Sequence, residues 1–291
     1  MPIYNCHGIF PGKPLKGKER YKKLYHYTSF DSFVKIWLNK NLRFSSSENV
    51  NDILEAKKEY SAPAIAQMPL MIALQEAKAS YKQISLTMDF DSYLWGCMSS
   101  MMWGYYADKR KGVCIELDYD KLGFSPNMIH RPIIYKKYVS KNIPLYTSVV
   151  SIKTLNKFLK KHHKEIFFTK DSGWKGENEY RIISNQDDYL DISNAITAVY
   201  LTEYDSQECL LVEKLVNGEV PIKCVKYNSS GKNNIAIPVI VDTKSKREEM
   251  NRSKNTDNLF LQMEKQARII LAENKDNENA LLLMDISEFL K

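Results

Sequence analysis

Long hydrophobic runs are missing from this 291-residue sequence. No stretch of about eighteen apolar residues is long enough to cross a bilayer, and residues 1–20 lack the continuous apolar core of a signal peptide. Hydrophobic residues make up 44% of the chain and charged residues 26%, which is typical of a folded globular protein. We therefore expect a folded protein of the cytoplasm that does not interact with a membrane.

Cysteine is scarce and scattered, and no two cysteines form a CxxC pair. The odd total of five argues against both a disulfide framework and a cysteine zinc site, and favours small buried side chains. His162 and His163 are adjacent, so in a helix they point about 100° apart and cannot form a two-histidine metal face. The sequence therefore predicts no metal.

Four common catalytic motifs are also absent. The chain has no GxGxxG, no GxxxxGKS, no HExxH and no GxSxG. These patterns mark dinucleotide-binding folds, P-loop proteins, zinc peptidases and serine hydrolases, respectively. Those four classes lose most of their support.

The net charge of +7 is unevenly distributed. Residues 12–23 contain six Lys or Arg and one Glu, and residues 136–170 contain nine Lys and one Glu. Such basic bands attract RNA or DNA through sequence-independent contacts, although they also suit ordinary solvated faces. Residues 147–168 predict a basic amphipathic helix. Its candidate nucleic-acid-binding residues are Lys157, Lys160, Lys161 and Lys164.

Hydrophobic periodicity predicts a mixed α+β protein. The chain opens with a strand, an amphipathic helix and a second strand. Further along, residues 91–112 predict a helix rich in aromatic and sulfur side chains, and residues 131–139 predict a strand. The later elements lack the regular βαβ alternation of a doubly wound sheet. From residue 244 the composition becomes highly charged, with nine basic and nine acidic residues up to residue 291. We expect one domain over residues 1–243 and a helical C-terminal appendage over 244–291, acting as a brace or a partner-binding helix.

Four stretches concentrate the residues that suit a ligand site. They are "LYHYTS" (24–29), "RFSSSENVNDILE" (43–55), "MMWGYYADKRKGVCIELD" (101–118) and "WKGENEYRI" (174–182). In this order they resemble the bacterial domain-of-unknown-function family numbered 2971, over roughly residues 21–240. One departure is the "ILE" after Asn51 and Asp52, where many members have proline and phenylalanine.

The first and last stretches are also similar to those of ADP-ribosyltransferases, including nucleic-acid-modifying toxins of the DarT type. This resemblance implies an ADP-ribosyltransferase-like split sheet, mixed or antiparallel, with flanking helices, and NAD as the co-substrate. It implies a catalytic glutamate within a Glu-x-Glu triplet, for which Glu179 is the first candidate and Glu177 the second. The serines at 45–47 resemble an element of a different branch of the superfamily. The residues that it assigns to NAD are His26, Tyr27, Thr28, Ser29, Ser45, Trp103 and Tyr106.

Physical chemistry supports these roles separately. Cleavage between ribose and nicotinamide develops positive charge, which a fixed carboxylate stabilises. Strand alternation places Glu177 and Glu179 on one face, so the second carboxylate is available to accept a proton from the nucleophile. His26 is able to donate to a ribose hydroxyl. We expect Arg181 on the opposite strand face, paired with a carboxylate such as Asp52 or Glu55 and not with substrate.

Each of these residues also has a purely structural interpretation. His26 alone is typical of a packed strand histidine, Trp103 and Tyr106 of a helix core, and the two glutamates of a solvated acidic turn.

Three hypotheses of function follow. The first is an NAD-dependent ADP-ribosyltransferase, a toxin or antiphage effector that modifies RNA in preference to DNA and is held by an antitoxin protein. The second keeps NAD but transfers to water, as a glycohydrolase, or to a protein. The third is a non-catalytic nucleic-acid-binding or assembly module.

Overall fold

The computed structural model describes residues 13–46, 68–137, 151–204, 206–230, 235–249 and 251. Its α-helices are α1 (Phe30–Asn39), α2 (Met68–Ala79), α3 (Ser100–Tyr106), α4 (Ile152–Phe167) and α5 (Gln207–Val216). Its strands are β1 (Lys23–Thr28), β2 (Asn41–Arg43), β3 (Ser45–Ser46), β4 (Lys82–Met88), β5 (Val113–Asp118), β6 (Ile129–Pro132), β7 (Ile134–Lys136), β8 (Thr169–Asp171), β9 (Glu179–Ser184), β10 (Tyr189–Asp191), β11 (Ile196–Leu201), β12 (Ile222–Ser230) and β13 (Ile235–Asp242).

A nine-stranded sheet forms the centre of the fold. Its strand order is β13-β12-β11-β5-β1-β4-β9-β6, and β3 pairs with β4 outside this path. The pairs formed by β1 with β4 and with β5 are antiparallel, whereas β11 and β12 are parallel. Two small sheets, β2 with β10 and β7 with β8, lie outside it. The predicted mixed α+β class is therefore confirmed, while the finer ADP-ribosyltransferase-like fold stays a prediction.

The predicted opening strand, helix and strand are confirmed by β1, α1 and β2. The side chain of Ser29 accepts a hydrogen bond from the backbone of Ser32 and so caps α1. Phe33 and Trp37, one turn apart, are buried against the sheet. Lys40 has a left-handed backbone (φ 52°), which ends the helix.

Alternation along β1 supplies two cores on opposite sheet faces. Leu24 packs with Phe33 in the first core. Tyr25 and Tyr27 pack in the second core with Trp103 of α3. A third cluster joins α4 to the neighbouring elements through Leu159, Ile166, Phe167 and other apolar side chains.

The sheet opens between β1 and β4. These strands pair only at Leu24 with Met88 and at Tyr25 with Thr87. Beyond that point β1 pairs on its other side with β5 over its whole length, and β4 pairs with β9 from Lys82 to Thr87. The two strands therefore diverge from His26 onward and leave a cleft within the sheet.

Two predicted elements are shorter than expected. The helix expected in residues 91–112 is a single 3₁₀ turn, Gly96–Met98, followed by the seven-residue α3. The strand expected over residues 131–139 is divided into β6 and β7, because the chain changes partner: Ile133 still donates to the Glu179 carbonyl of β9, whereas Ile134 donates to the Phe168 carbonyl beside β8. Only residues 131–137 of this stretch are described.

The chain divides into two compact units, Met1–Ile240 and Val241–Lys291. Within 244–291, only residues 244–249 and 251 belong to the described part, so the predicted boundary and helical appendage stay predictions. Across the described ranges, no helix combines the length and the apolar character needed to span a membrane. Four cysteines are free and buried, as predicted: Cys97, Cys114, Cys209 and Cys224.

Candidate active site

The cleft between β1 and β4 encloses a cavity of about 420 Å³. One wall is formed by β1 and α3 and is rich in aromatic rings. The opposite wall is formed by β2, β3 and β4 and is rich in hydroxyl groups. The first wall includes Tyr25, His26, Tyr27, Tyr105 and Tyr106. The second wall includes Arg43, Ser45, Ser85 and Thr87. Lys170, Glu177 and Glu179 also line the cavity.

Glu179 is held in place by four donors. Its side chain is buried, with 2% of the residue exposed. Oε1 accepts hydrogen bonds from Ser85 Oγ at 2.6 Å and Arg181 Nε at 2.7 Å. Oε2 accepts from Arg181 Nη2 at 3.0 Å and lies 3.5 Å from Lys170 Nζ. A buried carboxylate with this many charged donors has a fixed position and orientation.

Glu177 is the second carboxylate of the cleft. Its Oε2 lies 2.6 Å from Lys170 Nζ, and its Oε1 accepts a hydrogen bond from the Tyr106 hydroxyl. Burial raises the pKa of Glu177 above its ordinary value, and the charge of Glu179 adds to this although Lys170 opposes it. Lys170 therefore bridges the two carboxylates of the cleft.

The ring of His26 lines the cleft and is neutral at pH 7. Burial lowers the pKa of His26 to about 4, against a smaller opposing effect of the hydrogen bond that the ring donates to the Ser85 backbone. Its Nδ1 is buried and has no hydrogen-bond partner among the described residues. The Thr87 hydroxyl on the facing strand is likewise buried without a partner there. The Tyr25 hydroxyl, on another residue that lines the cavity, is a third atom of this kind among the described residues. Because buried polar groups are normally hydrogen-bonded, three such atoms on the lining of one cavity point to a ligand.

Aromatic residues line the cleft in different ways. The Tyr27 hydroxyl donates to the Gly96 carbonyl at 2.6 Å, so only part of this ring is available to a ligand. Tyr106 is directed inward to Glu177. Its neighbour Tyr105 is 70% exposed and lines the same cavity. The cleft thus has a flat, accessible ring on its solvent side.

Three residues that the sequence assigned to NAD lie away from the cavity lining. Thr28 is buried at the end of β1, and Ser29 caps α1. Trp103 is 1% exposed, donates to the Cys97 carbonyl at 2.8 Å and packs edge-on against Tyr27. The structure gives these side chains structural contacts, whereas it brings His26, Tyr27, Ser45, Tyr106, Glu177 and Glu179 together.

The expectation for Arg181 is wrong. Residues two apart on a strand share a face, so Arg181 lies beside Glu179 and pairs with it. Its Nη1 also donates to the Phe167 carbonyl at 2.9 Å. The proposed partners Asp52 and Glu55 lie outside the described residues.

Sequence reasoning also missed Lys170, Ser85 and Tyr135. Tyr135 accepts a hydrogen bond from the Glu179 backbone at 2.9 Å, and β7 pairs Tyr135 directly with Lys170 of β8. No motif marks these residues. The one available signal was a lysine seven residues before Glu177, within a basic band that suggested nucleic-acid binding instead.

The predicted basic helix is confirmed as α4, which is interrupted by non-helical backbone angles at His162. Lys157, Lys161 and Lys164 are exposed. The side chain of Lys160 lies outside the described part. Lys157 and Lys161, four residues apart before the interruption, lie on one helix face, and Lys164 follows the interruption.

Within the described ranges, no group of three or more His, Cys, Asp or Glu side chains is suitably placed to hold a metal ion.

Comparison with known proteins gives one match. The family model described as "Protein of unknown function (DUF2971)" matches residues 102–182, which contain most of α3, all of α4, Lys170 and both glutamates. The predicted resemblance to that family is confirmed over these residues. No curated protein and no solved structure matches the chain. The resemblance to ADP-ribosyltransferases of the DarT type gains no support from these comparisons and stays a prediction.

Proposed function

We propose that this protein is an NAD-dependent ADP-ribosyltransferase that modifies a nucleic acid, with RNA favoured over DNA. One observation carries the proposal. A fixed, buried carboxylate, Glu179, lines a cleft together with Tyr25, His26 and Thr87, each of which has a buried polar atom without a hydrogen-bond partner in the described part of the chain. A volume of about 420 Å³ lies within the range of small-molecule sites.

The residues of the cleft fit a ribose and a flat heterocycle. His26 Nδ1 and the Thr87 hydroxyl have no hydrogen-bond partner among the residues that the structure describes, and ribose hydroxyls supply both donors and acceptors. The rings of Tyr106 and Tyr27, which line the cavity, offer apolar surface to an aromatic ring. Ser45 adds a hydroxyl on the opposite wall.

NAD supplies a nicotinamide leaving group on an activated ribose carbon. Glu179 stabilises the positive charge that develops there, and it does so without reorganising because Arg181, Ser85 and Lys170 already hold it. Loss of one preorganised group of this kind costs on the order of 10² to 10³ in rate. Glu179 is therefore assigned the electrostatic role.

Glu177 is assigned the proton-accepting role. A carboxylate with a raised pKa is a better base near neutral pH than an ordinary one. Its hydrogen bond from Tyr106 and its ion pair with Lys170 orient it in the same cleft. A nucleophile such as the exocyclic amine of an unpaired base would lose its proton to this group.

The basic face of α4 and the exposed ring of Tyr105 favour a nucleic-acid acceptor. Unregulated modification of cellular RNA is toxic, so we further propose a toxin or antiphage effector whose partner is an antitoxin protein.

The proposal is tested with NAD labelled in its adenylate phosphate. Purified protein is incubated with the label and total RNA, single-stranded DNA or cell protein, beside Glu179→Gln and the control Glu116→Gln. Label on RNA, lost only in Glu179→Gln, is the expected result. Free ADP-ribose without labelled polymer favours the glycohydrolase, and label on protein favours a protein transferase. Intact NAD in every tube contradicts the proposal.

A further inference from the structure

The segment 93–105 runs along one face of β1 and exposes an aromatic ring near each end. Lys23, Tyr25 and Tyr27 alternate onto this face. Trp95 lies beside Lys23, whose Nζ is 5.7 Å from the ring centroid. The next residue of the segment, Gly96, lies against Tyr25 so closely that an added Cβ would be 2.3 Å from the ring. Trp103 then packs against Tyr27.

This arrangement spaces two accessible rings along the strand. With a rise of about 3.3 Å per residue, Lys23 and Tyr27 are about 13 Å apart. Trp95 is 36% exposed at the Lys23 end, and Tyr93 beside it is 58% exposed. Tyr105 is 70% exposed at the other end, where it also lines the cavity.

The two acidic side chains that directly precede this segment, Asp89 and Asp91, face inward. Asp91 is 7% exposed and accepts hydrogen bonds from the backbones of Tyr93 and Leu94 at 2.8 and 2.7 Å. Asp89 is 8% exposed and accepts from the Gly96 backbone at 2.8 Å. These bonds hold the loop that presents Tyr93 and Trp95, and they remove its carboxylates from the surface.

Cations border the same segment on the outside. Both ends of the first basic band of the sequence, Lys13 and Lys23, lie next to this part of the chain. The Lys13 backbone donates to the Ser92 hydroxyl at 2.9 Å, and Lys23 lies beside Trp95. Further exposed lysines between these two are Lys16, Lys18 and Lys22. Exposed rings with cations beside them match the chemistry of single-stranded nucleic acid, whose bases stack and whose phosphates are anionic.

We infer that segment 93–105, together with the basic band 13–23, binds single-stranded nucleic acid, with one base on Trp95 and another on Tyr105 at the cavity. This inference rests on the proposed function and specifies its acceptor as an unpaired strand. A duplex keeps its bases stacked inside, so it is unable to use these rings. The surface is separate from the lysine face of α4, which requires only phosphates.

The test is binding without NAD. A fluorescein-labelled 12-nucleotide single strand of mixed sequence, as RNA and as DNA, is titrated by anisotropy and compared with its duplex. Trp95→Ala and Tyr105→Ala should each weaken single-strand binding between about fivefold and about a hundredfold, whereas Trp95→Phe and Tyr105→Phe keep most of it. Duplex binding should be weaker and unchanged by all four substitutions.

Tyr189→Ala is the matched control, because Tyr189 is 54% exposed on β10, outside the central sheet. Thermal melts establish that all variants are folded. The inference would be overturned if both alanine variants bound the single strand with wild-type affinity, or if the wild type did not bind it. It would also be overturned if the alanine variants lost as much affinity for the duplex as for the single strand, or if Tyr189→Ala lost as much affinity as they did. Labelled-NAD transfer that persists in both alanine variants with unchanged rates would overturn only this inference. Ring-dependent binding with no NAD consumption in any variant would overturn the proposed function instead.

Discussion

One row of residues in register across the central sheet has a buried glutamate at each of its two ends. Glu116 of β5 is in register with Tyr25 of β1, Tyr25 with Thr87 of β4, and Thr87 with Glu179 of β9. Residues in register point to the same face, so the two carboxylates share a face across three strand spacings, about 14 Å. Their exposed fractions are nearly equal, at 3% and 2%. Burial therefore does not distinguish them.

The surroundings of Glu116 and Glu179 distinguish the two carboxylates. Glu116 accepts hydrogen bonds from Thr197 at 2.8 Å and Tyr200 at 2.7 Å, and its third partner, Lys23, reaches it from the surface at 3.1 Å. Glu116 does not line the cavity. Glu179 does, and its cationic partners Lys170 and Arg181 are themselves buried. The comparison teaches that a fully bonded carboxylate marks a candidate site only where a cavity reaches it.

The largest expected difference is in turnover. Glu179→Gln should lower the rate of NAD consumption on the order of 10²-fold to 10³-fold, because the amide cannot supply the negative charge. Glu116→Gln should leave the rate unchanged while lowering the melting temperature. Initial rates with labelled NAD and thermal melts of both variants check this. Equal losses of rate in the two variants would remove the distinction between the clusters.

The second difference is in the free energy of unfolding. Lys170→Met removes the cation between two buried carboxylates and should cost about 3 to 5 kcal/mol. Lys23→Met should cost about 1 kcal/mol or less, because 47% of the Lys23 side chain is exposed and Glu116 keeps two hydroxyl donors. Urea unfolding at pH 7 measures both. A larger loss in Lys23→Met would mean that Glu116, rather than Glu179, depends on its cation.

The third difference is in the sign of the pH dependence. Burial raises the pKa of Glu177 above its ordinary value of 4.5, so its contribution to stability is fully present below that pH and is lost as the pH rises through the folded value. Burial also acts to raise the pKa of Glu116, but the bonds from Tyr200, Thr197 and Lys23 outweigh it and hold that pKa below 4.5. The contribution of Glu116 to stability is present above pH 4.5 and is lost as the pH falls through its folded pKa.

Urea unfolding of the wild type, Glu177→Gln and Glu116→Gln between about pH 3 and pH 7 measures these signs. The stability of the wild type relative to Glu116→Gln should grow as the pH rises, whereas its stability relative to Glu177→Gln should shrink. Parallel trends for the two variants would show that Glu177 is not a carboxylate of raised pKa.

The smallest expected difference concerns the two tyrosine hydroxyls that donate to these clusters. Tyr106→Phe removes a donor to Glu177 beside the cavity, where water replaces it, so turnover should fall by about tenfold with little loss of stability. Tyr200→Phe removes a buried donor to Glu116 and should cost about 1 to 3 kcal/mol of stability without changing turnover. Initial rates and urea unfolding separate the two effects.

Local patterns explain what the sequence could predict. The β1–α1 unit follows from alternation at residues 23–28 and from the helical spacing of Phe33 and Trp37. Glu177 and Glu179 were identified by the Glu-x-Glu triplet. The same helical pattern that placed Trp103 and Tyr106 on one helix did not reveal that Trp103 faces the core and Tyr106 the cavity.

Long-range pairing explains what the sequence could not predict. Lys170 reaches the glutamates because β7 and β8 form a separate parallel pair, and this pairing leaves no local sequence pattern. The row from Glu116 to Glu179 depends on the register of four strands that are far apart in the chain. The cleft itself depends on where β1 and β4 stop pairing. Such features follow from the assembled sheet.

The central claim is that the cleft between β1 and β4 binds NAD and presents it to Glu179. The most direct measurement is a crystal structure of Glu179→Gln with NAD, because this variant should bind NAD without consuming it. The account predicts electron density for the nicotinamide and its ribose between His26 and Thr87, adjacent to residue 179. An empty cleft at saturating NAD, or NAD bound at another surface, would contradict it.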